Sequence, residues 1–337
     1  MSGSVKMVEL IAAAAKQRAF PHPETEAYRL FNGFYEGYPG LILDRYGPAL
    51  VVLDHTDTGT VDPAPIITWA LSELAGLEAV LHKQRLHPEE AFKRGVLIAG
   101  DRLPASINEF GVRYFLDLQL HQDTSFYLDT RNLRRWLLEN MSGLRVLNTF
   151  AYTGSLGVAA GTGGAAQVVQ TDLNKRYLHI AQRSWGLNHL PAGKSQSIPG
   201  DFFRVSGRFR SQDRLFDCVI LDPPFFSTTV AGTVNLQGET TRLVNKVRPL
   251  VAHNGWLVLI NNALFLSGAD FKAELDRLCQ SKYLEFERII PVPPDITGFP
   301  ETVTTPPPID PAPFNHPTKI AILKVWRKDR RKSSVHT

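Results

Sequence analysis

The sequence has little of what marks secreted, metal-binding or membrane proteins. It contains only two cysteines, Cys218 and Cys279, which excludes a disulfide framework and a cysteine-rich zinc site. No apolar run reaches the roughly 18 residues that a membrane span needs, and the polar N-terminus lacks a signal-peptide pattern. These absences predict a cytoplasmic protein with no membrane segment and no bound metal ion.

Charge of either sign is also moderate. The 337 residues carry a formal net charge of +4, which permits nucleic-acid binding without requiring it. Hydrophobic residues make up 43% and charged residues 21%, the proportions of a globular protein with one to three domains. Basic residues gather in the tail, residues 327–337, which is either a solvated end or a phosphate contact.

The first third of the chain predicts a small α+β domain. Residues 1–23 form an N-terminal extension, and residues 24–118 alternate short β-type runs with glycine and proline turns. Ile66–Leu74 has the apolar face of a helix. Ile107–Leu118 predicts a strand that bends near Gly111.

The remainder, residues 119–326, alternates strand and helix patterns and predicts an α/β domain with a mostly parallel, doubly wound sheet. Strands are expected near 145–150, 166–171, 196–200, 216–221, 255–260, 284–290 and 319–326. Helices are expected near 155–161, 174–188, 202–207, 238–252 and 268–280. A proline-rich arm, residues 291–317, separates the last two strands, and long irregular loops of this kind are often functional lids.

The chain is organised around the stretch 146–157, where an apolar strand ends in a turn with Gly154 and Gly157 before a helix. Glycines let the backbone turn and let a ligand approach, and ligands of open α/β sheets lie at the carboxyl ends of strands. Two acids follow at later strand ends, Asp172 and Asp201. Each of them is either a ligand-binding carboxylate or a helix N-cap.

The most specific chemical signal is Asp222-Pro223-Pro224-Phe225, which follows the apolar strand 216–221. The prolines remove backbone donors and fix the turn, so the Asp222 carboxylate and exposed carbonyls can accept hydrogen bonds from a base. Phe225 or Phe226 can stack on that base, as a flipped nucleotide requires.

A glycine turn, two strand-end acids and Asp-Pro-Pro-Phe resemble, in that order, class I S-adenosylmethionine-dependent methyltransferases, and the flanking text resembles the ribosomal RNA large-subunit methyltransferase I family. The resemblance implies a Rossmann-like sheet with an antiparallel last strand, S-adenosyl-L-methionine as cofactor and a base of (23S ribosomal) RNA as acceptor. Many members carry an N-terminal RNA-binding PUA domain, and too few residues precede Glu24 to form one.

The resemblance also implies the site residues. Asp222, Pro223, Pro224, Phe225 and Asn261 are expected at the reaction centre. The expected cofactor-binding residues are Phe126, Asp129, Arg131, Asn148, Phe150, Ala151, Tyr152, Gly154, Asp172, Leu173, Asp201, Phe202 and Asp222. For Asp129 and Arg131 the alternative is an N-cap and a salt-bridged start of the helix that follows.

The cysteines argue against 5-methylcytosine as product, because that reaction needs a thiolate that adds to the pyrimidine ring. In the cytosine-specific members of the resembled family, the cysteine follows the strand after Asp-Pro-Pro. This chain has Asn261 and Asn262 there, as do relatives that methylate a guanine nitrogen. The expected product is a methylated base nitrogen. Two alternatives stay open, namely a small-molecule methyltransferase closed by the arm and a non-catalytic RNA-binding protein with this fold.

Overall fold

Two β-sheets and the helices around them organise the chain. The computed structural model describes residues 3–18, 25–56, 61–224, 226–229, 232–235, 240–264, 266–305 and 316–327. The first sheet has five strands in sequence order, and all its strand pairs are antiparallel except the third with the fourth. Its elements, with the helices beside it, are α1 (Gly3–Gln17), β1 (Ala27–Asn32), α2 (Gly33–Glu36), β2 (Leu41–Tyr46), β3 (Ala49–Asp54), α3 (Ala64–Glu73), β4 (Ala79–Gln84), α4 (Glu90–Arg94) and β5 (Val96–Ala99).

A two-stranded hairpin and one helix connect the sheets. They are β6 (Ser106–Glu109), β7 (Val112–Phe115) and α5 (Arg131–Asn140). The single bent strand expected here was wrong, because Gly111, with φ of 77°, closes a tight turn and the chain reverses. The short α4 and β5 were not predicted, since β5 is mostly half-buried and presents no clear alternation.

The second sheet has seven strands in the order β10-β9-β8-β11-β14-β16-β15. Its elements are β8 (Arg145–Thr149), α6 (Ser155–Thr162), β9 (Gln167–Asp172), α7 (Lys175–Leu187), β10 (Ser195–Pro199), α8 (Phe202–Ser211), β11 (Phe216–Leu221), α9 (Thr240–Val247), β14 (Val251–Asn261), α10 (Gly268–Cys279), β15 (Leu284–Ile290), α11 (Pro294–Thr297) and β16 (Lys319–Val325); a separate hairpin is formed by β12 (Phe226–Thr229) and β13 (Gly232–Asn235).

The strand directions confirm the predicted fold class. The five strands from β10 to β14 run parallel, while β16 runs antiparallel to both of its neighbours. The chain moves outward from β8 to β10 and then returns to the other side of β8 with β11. The strand order therefore reverses between β8 and β11, and a ligand crevice is expected at their carboxyl ends.

Two hydrophobic cores cover the two faces of the seven-stranded sheet. One core joins α5, α6 and Trp185 of α7 to the inner residues of β8 and β11, and it continues into the first sheet through Ala27 and Tyr46. The other lies under α8, α9 and α10, with Phe209, Val244 and Phe271 buried. Because one core crosses residues 118 and 119, the boundary drawn there between two domains stays a proposal.

The larger described part of the proline-rich arm, residues 291–305, lies against the first sheet. The Asp295 carboxylate accepts two hydrogen bonds from the Arg131 guanidinium, at 2.8 and 2.9 Å. Arg18 donates to the Asp295 carbonyl, and the Asn32 amide donates to the Ile296 carbonyl at 2.9 Å. This half of the arm is thus a brace between the two sheets. The lid expected from the sequence comprises the whole arm, residues 291–317, of which residues 306–315 lie outside the described residues, so the lid stays a prediction.

Candidate active site

A cavity of about 540 Å³ opens at the carboxyl ends of β8, β9 and β11, where the strand order reverses. Each strand ends at a predicted site residue or one residue before it. The described residues that line the cavity are Tyr127, Asp129, Thr130, Phe150, Tyr152, Thr171, Asp172, Leu173, Asn174, Tyr177, Gly200, Asp201, Phe202, Phe203, Asp222, Pro223, Pro224, Ile260, Asn262 and Thr318. The fold brings together residues from seven segments of the sequence.

The turn after β8 forms one wall of the cavity in an unusual backbone conformation. Phe150 and Tyr152 have φ of 52° and 50°, values that residues other than glycine rarely adopt. Gly154 has φ of 78°, and a Cβ there would lie 2.3 Å from the Cβ of Ala181. The turn is also tied to the preceding linker, since the Thr153 hydroxyl donates to the Ser125 carbonyl at 2.6 Å. These constraints fix the wall in place.

Asp172 ends β9, and its carboxylate anchors this turn through hydrogen bonds. Its carboxylate accepts the backbone N–H of Tyr152 and that of Asn174, each at 2.8 Å. Burial raises the pKa of Asp172, and the backbone hydrogen bonds oppose that shift. A carboxylate has about four lone-pair sites, so two backbone donors leave acceptor capacity for a ligand. The N-cap of α7 is Asn174, which accepts from the N–H of Arg176.

Aromatic rings form the floor next to the third strand end. Phe150 and Phe202 stack with their centroids 4.6 Å apart and their planes 27° from parallel. Asp201 is the N-cap of α8, accepting from the N–H of Arg204 at 3.1 Å, as the alternative interpretation expected. It lines the cavity as well, so capping and ligand contact do not exclude each other.

The Asp-Pro-Pro turn lies at the other end of the cavity. Burial raises the pKa of Asp222 to about 7, and the negative charge of Asp129 contributes in the same direction. Asp129 accepts a hydrogen bond from the Thr318 hydroxyl at 2.7 Å. A carboxyl group whose pKa lies near neutrality can exchange a proton at physiological pH, which suits an acid or base in catalysis.

The electrostatics of the cavity select the kind of ligand. Four aspartates, Asp129, Asp172, Asp201 and Asp222, are among its described lining residues, and none of these lining residues is Lys, Arg or His. Such a wall disfavours a phosphate and favours a cation. Stacked aromatic rings at one end suit a flat heterocycle. S-adenosylmethionine, with its adenine, ribose and positively charged sulfur, fits this set of residues.

Some predicted residues lie close to the cavity without lining it. Phe126 packs under the Arg134 guanidinium, 4.1 Å from its ring centroid. The Arg131 side chain pairs with Asp295 and Glu109, and it is 7% exposed. Asn148, buried within β8, donates to Gln170. Ala151 and Gly154 support the turn through the hydrogen bond from the Gly154 N–H to the Ala151 carbonyl.

Asn261 is also placed elsewhere, although it was expected at the reaction centre. Its side chain is fully buried, where it accepts from the N–H of Ala263 and donates to the Thr240 hydroxyl. The next residue, Asn262, faces the cavity instead. Phe225 lies outside the described residues, so its predicted stacking role stays a prediction.

Other lining residues were not predicted as site residues. The sequence could have indicated Tyr127, because it lies between the predicted residues Phe126 and Asp129 of the linker. It could also have indicated Asn174 and Tyr177, because both follow Asp172 closely at the start of α7. Thr318 has none, because it lies 189 residues after Asp129, which it contacts. The lining residues that were not predicted from the sequence are Tyr127, Thr130, Thr171, Asn174, Tyr177, Gly200, Phe203, Ile260 and Thr318.

Neither cysteine of the chain lines the cavity. Cys218 is fully buried in β11 between two neighbouring strands, and burial raises the pKa of its thiol. Cys279 ends α10, and burial raises the pKa of its thiol too. Both thiols are therefore kept protonated and away from the site.

The described helices include none that is long and apolar enough to cross a membrane. The described residues also contain no cluster of metal-ligating side chains.

Comparison with known proteins agrees with this geometry. A family model described as S-adenosylmethionine-dependent methyltransferase matches residues 58–303. The ribosomal RNA large subunit methyltransferase I of Serratia proteamaculans (strain 568) is 34% identical over 208 residues, which are 60% of this chain and 52% of that protein. The chain thus spans about half the length of that relative.

Two further matches extend over more of the chain. YwbD of Bacillus subtilis (strain 168), provisionally assigned as a ribosomal RNA large subunit methyltransferase, is 29% identical over 301 residues, 86% of this chain and 76% of that protein. The crystal structure of SMU.776, a provisionally assigned methyltransferase complexed with SAH, has a TM-score of 0.82 and 22% identity. It covers 96% of this chain and 82% of that one, and at this identity the likeness concerns the fold.

Proposed function

Because the chain belongs to the S-adenosylmethionine-dependent methyltransferase family and uses its cofactor, we propose that it methylates a nitrogen of a base in RNA. Ribosomal RNA is the proposed substrate, after the names of the relatives from Serratia and Bacillus. One observation carries the choice of nitrogen: Asp222, with a pKa of about 7, faces a cavity whose described lining contains no thiol. The cytoplasmic location stays a prediction.

The described residues divide the work between the two ends of the cavity. Asp172 would accept from the ribose hydroxyls, and Phe202 with Asp201 would hold the adenine. When bound, S-adenosylmethionine supplies an electrophilic methyl group on a positively charged sulfur. Asp222 would accept a hydrogen bond from the target amine and then take the proton that the nitrogen loses as its bond to carbon forms. The positioning of the two reactants and the electrostatics of the cavity supply the rest of the rate enhancement.

The product decides between nitrogen and carbon methylation. The protein is incubated with deuterated-methyl S-adenosylmethionine in three separate reactions. One reaction contains total RNA, one contains total protein and one contains a metabolite extract. Mass spectrometry of the digested RNA is expected to show a labelled N-methylated nucleoside. A Cys218→Ala, Cys279→Ala double variant is expected to keep its turnover within about threefold, because neither thiol reaches the cavity. Labelled 5-methylcytosine, or label found only in metabolites, would refute the proposal.

Asp172→Ala is expected to weaken S-adenosylmethionine binding by roughly 1.5–3 kcal/mol, or about one to two decades in Kd. The variant loses the acceptor for the ribose and also frees the N–H groups of Tyr152 and Asn174. Calorimetry measures the affinity, and a melting curve separates lost binding from lost folding. The control is Asp276→Ala, an exposed aspartate on α10. Equal cofactor affinity in the Asp172 variant and wild type would rule out this role.

Cofactor binding is also expected to depend on pH through Asp222. Its pKa is raised to about 7 in the free protein, so the carboxyl is protonated below pH 7 and negative above it. The negative form attracts the sulfonium, and therefore S-adenosylmethionine binds more tightly as pH rises. If the sulfonium lowers that pKa by about one unit, affinity gains about fivefold from pH 6 to 8.

The neutral product, S-adenosylhomocysteine, is the internal reference for this measurement, because it has the same amino group without the sulfonium. The ratio of the two Kd values is expected to change with pH in the wild type and to stay constant in Asp222→Asn. A pH-independent ratio in the wild type would show that the charge of Asp222 does not reach the sulfur.

A further inference from the structure

The helices α8 and α9 lie side by side on one face of the seven-stranded sheet, and the exposed surface that they share is called the groove here. The Arg242 guanidinium lies 5.0 Å from the Phe203 ring centroid. One turn further along both helices, a Cβ placed on Gly207 would lie 3.8 Å from the Lys246 Nζ. The two helices therefore run in the same direction.

Basic side chains border this groove on both sides. Neither helix contains an acidic residue, since α8 reads FFRVSGRFRS and α9 reads TTRLVNKV. Nearby acids among the described residues include Asp201, which caps α8, Asp213, whose N–H donates to the Arg210 carbonyl, and Glu274, which accepts from Thr241. The basic residues of the groove are Arg204, Arg208, Arg210, Arg242, Lys246 and Arg248, of which the first four are exposed and the last two half-buried.

Some basic residues elsewhere in the protein are paired with acids. On the first sheet, Arg29 pairs with Asp44 and Arg85 pairs with Asp123. Within the described parts of the chain, Arg204, Arg208 and Lys246 form no ion pair. An ordinary solvated surface intersperses both signs of charge, because like charges side by side repel. Burial together with Arg208 and Arg145 lowers the pKa of the neighbouring Arg214, in keeping with such repulsion.

The groove begins at the mouth of the active-site cavity. Phe203 lines the cavity and lies beneath Arg242, and Gly200, one residue before Asp201, lines it too. From Phe203 to Arg210 the helix rises about 10 Å at its usual 1.5 Å per residue. A stacked nucleic-acid strand places about three phosphates along that distance. The positive groove and the negative cavity therefore meet at Phe203, so a polyanion bound in the groove would end where the reaction takes place.

We propose that the groove between α8 and α9 binds the phosphodiester backbone of the RNA next to the target nucleotide. The inference rests on the proposed function, because it assigns a binding surface to that same RNA. The groove holds the strand through Arg204, Arg208 and Lys246, while the acidic cavity excludes phosphate and admits the neutral base. This separation of charge sets the direction in which the strand approaches the methyl donor.

The test compares two triple variants that remove the same charge. The groove variant is Arg204→Gln, Arg208→Gln, Lys246→Gln, and the control is Lys6→Gln, Lys16→Gln, Arg102→Gln, at exposed positions outside the groove. The probe is a mixed-sequence single-stranded RNA oligonucleotide, titrated over a range of salt concentrations. The groove variant is expected to bind roughly 30- to 100-fold more weakly at 0.1 M salt, with a log–log salt slope about 2 units shallower.

Melting temperature and S-adenosylmethionine affinity, measured for both variants, are expected to match the wild type. Equal losses of RNA affinity in the two variants, or an unchanged salt slope in the groove variant, would overturn the groove as the binding surface. If the wild type methylates RNA and the groove variant does so with unchanged KM, the inference fails while the proposed function stands. If the wild type neither binds nor methylates RNA, both fail.

Discussion

Asp222→Asn is expected to lower kcat for methyl transfer by about two to four orders of magnitude, while S-adenosylmethionine binding weakens by less than about tenfold. The amide keeps the size of the side chain and one carbonyl oxygen, but it cannot take a proton. The carboxyl of the wild type has a pKa of about 7 and faces the cavity beside Pro223 and Pro224. It is therefore the described group best suited to accept the proton of the amine.

Single-turnover rates with saturating cofactor separate this chemical effect from binding. The wild-type rate is expected to fall below about pH 6, since the bound sulfonium lowers the pKa of Asp222 by about one unit from its value of about 7 in the free protein. The residual rate of Asp222→Asn is expected to show no such fall. Asp276→Asn on α10 is the matched control and should behave like the wild type. An Asp222→Asn variant that keeps more than a tenth of the wild-type kcat would remove Asp222 from the mechanism.

Asp295→Ala is expected to lower the free energy of unfolding by about 3–5 kcal/mol, because it leaves Arg131 buried without its main partner. The two side chains are 11% and 8% exposed, and the carboxylate also accepts the N–H of Arg29 at 3.0 Å. After the substitution Arg131 keeps Glu109, at 3.4 Å, and the carbonyl of Ala27. The buried guanidinium thereby loses two hydrogen bonds, and Glu109, which Arg134 also binds, compensates its charge only in part.

Thermal and urea unfolding measure this effect, with Glu301→Ala as control, since Glu301 lies in the same arm and is exposed. The same pair of variants tests the two interpretations of the arm. A brace loses stability when Asp295 is removed, whereas a lid loses turnover with its stability intact. Melting of Asp295→Ala within about one degree of the wild type would contradict the role of residues 291–305 as a brace.

The sequence by itself determined the alternation of strands and helices in residues 119–326 and the positions of three strand-end acids. An alternation of apolar runs with helix patterns is a local signal, and the right-handed crossovers of parallel strands leave few topologies. Asp172, Asp201 and Asp222 each follow an apolar run, and the carboxyl ends of parallel strands meet at one edge of a sheet. The cavity at that edge and its acidic character follow from those local signals.

The tertiary structure alone decided which neighbouring side chains face the cavity. Asn261 and Asn262 are equivalent in the sequence, but side chains of a strand alternate between its two faces, so one residue of register buries the first and turns the second to the ligand. Arg131 looked like a cofactor contact until the arm, 164 residues later, supplied Asp295 as its partner. Likewise, the basic groove exists only because α8 and α9 pack side by side. Phe203 and Arg242, which meet there, are 39 residues apart in the sequence. Contacts between such distant segments depend on how whole elements pack, and no local pattern of residues encodes them.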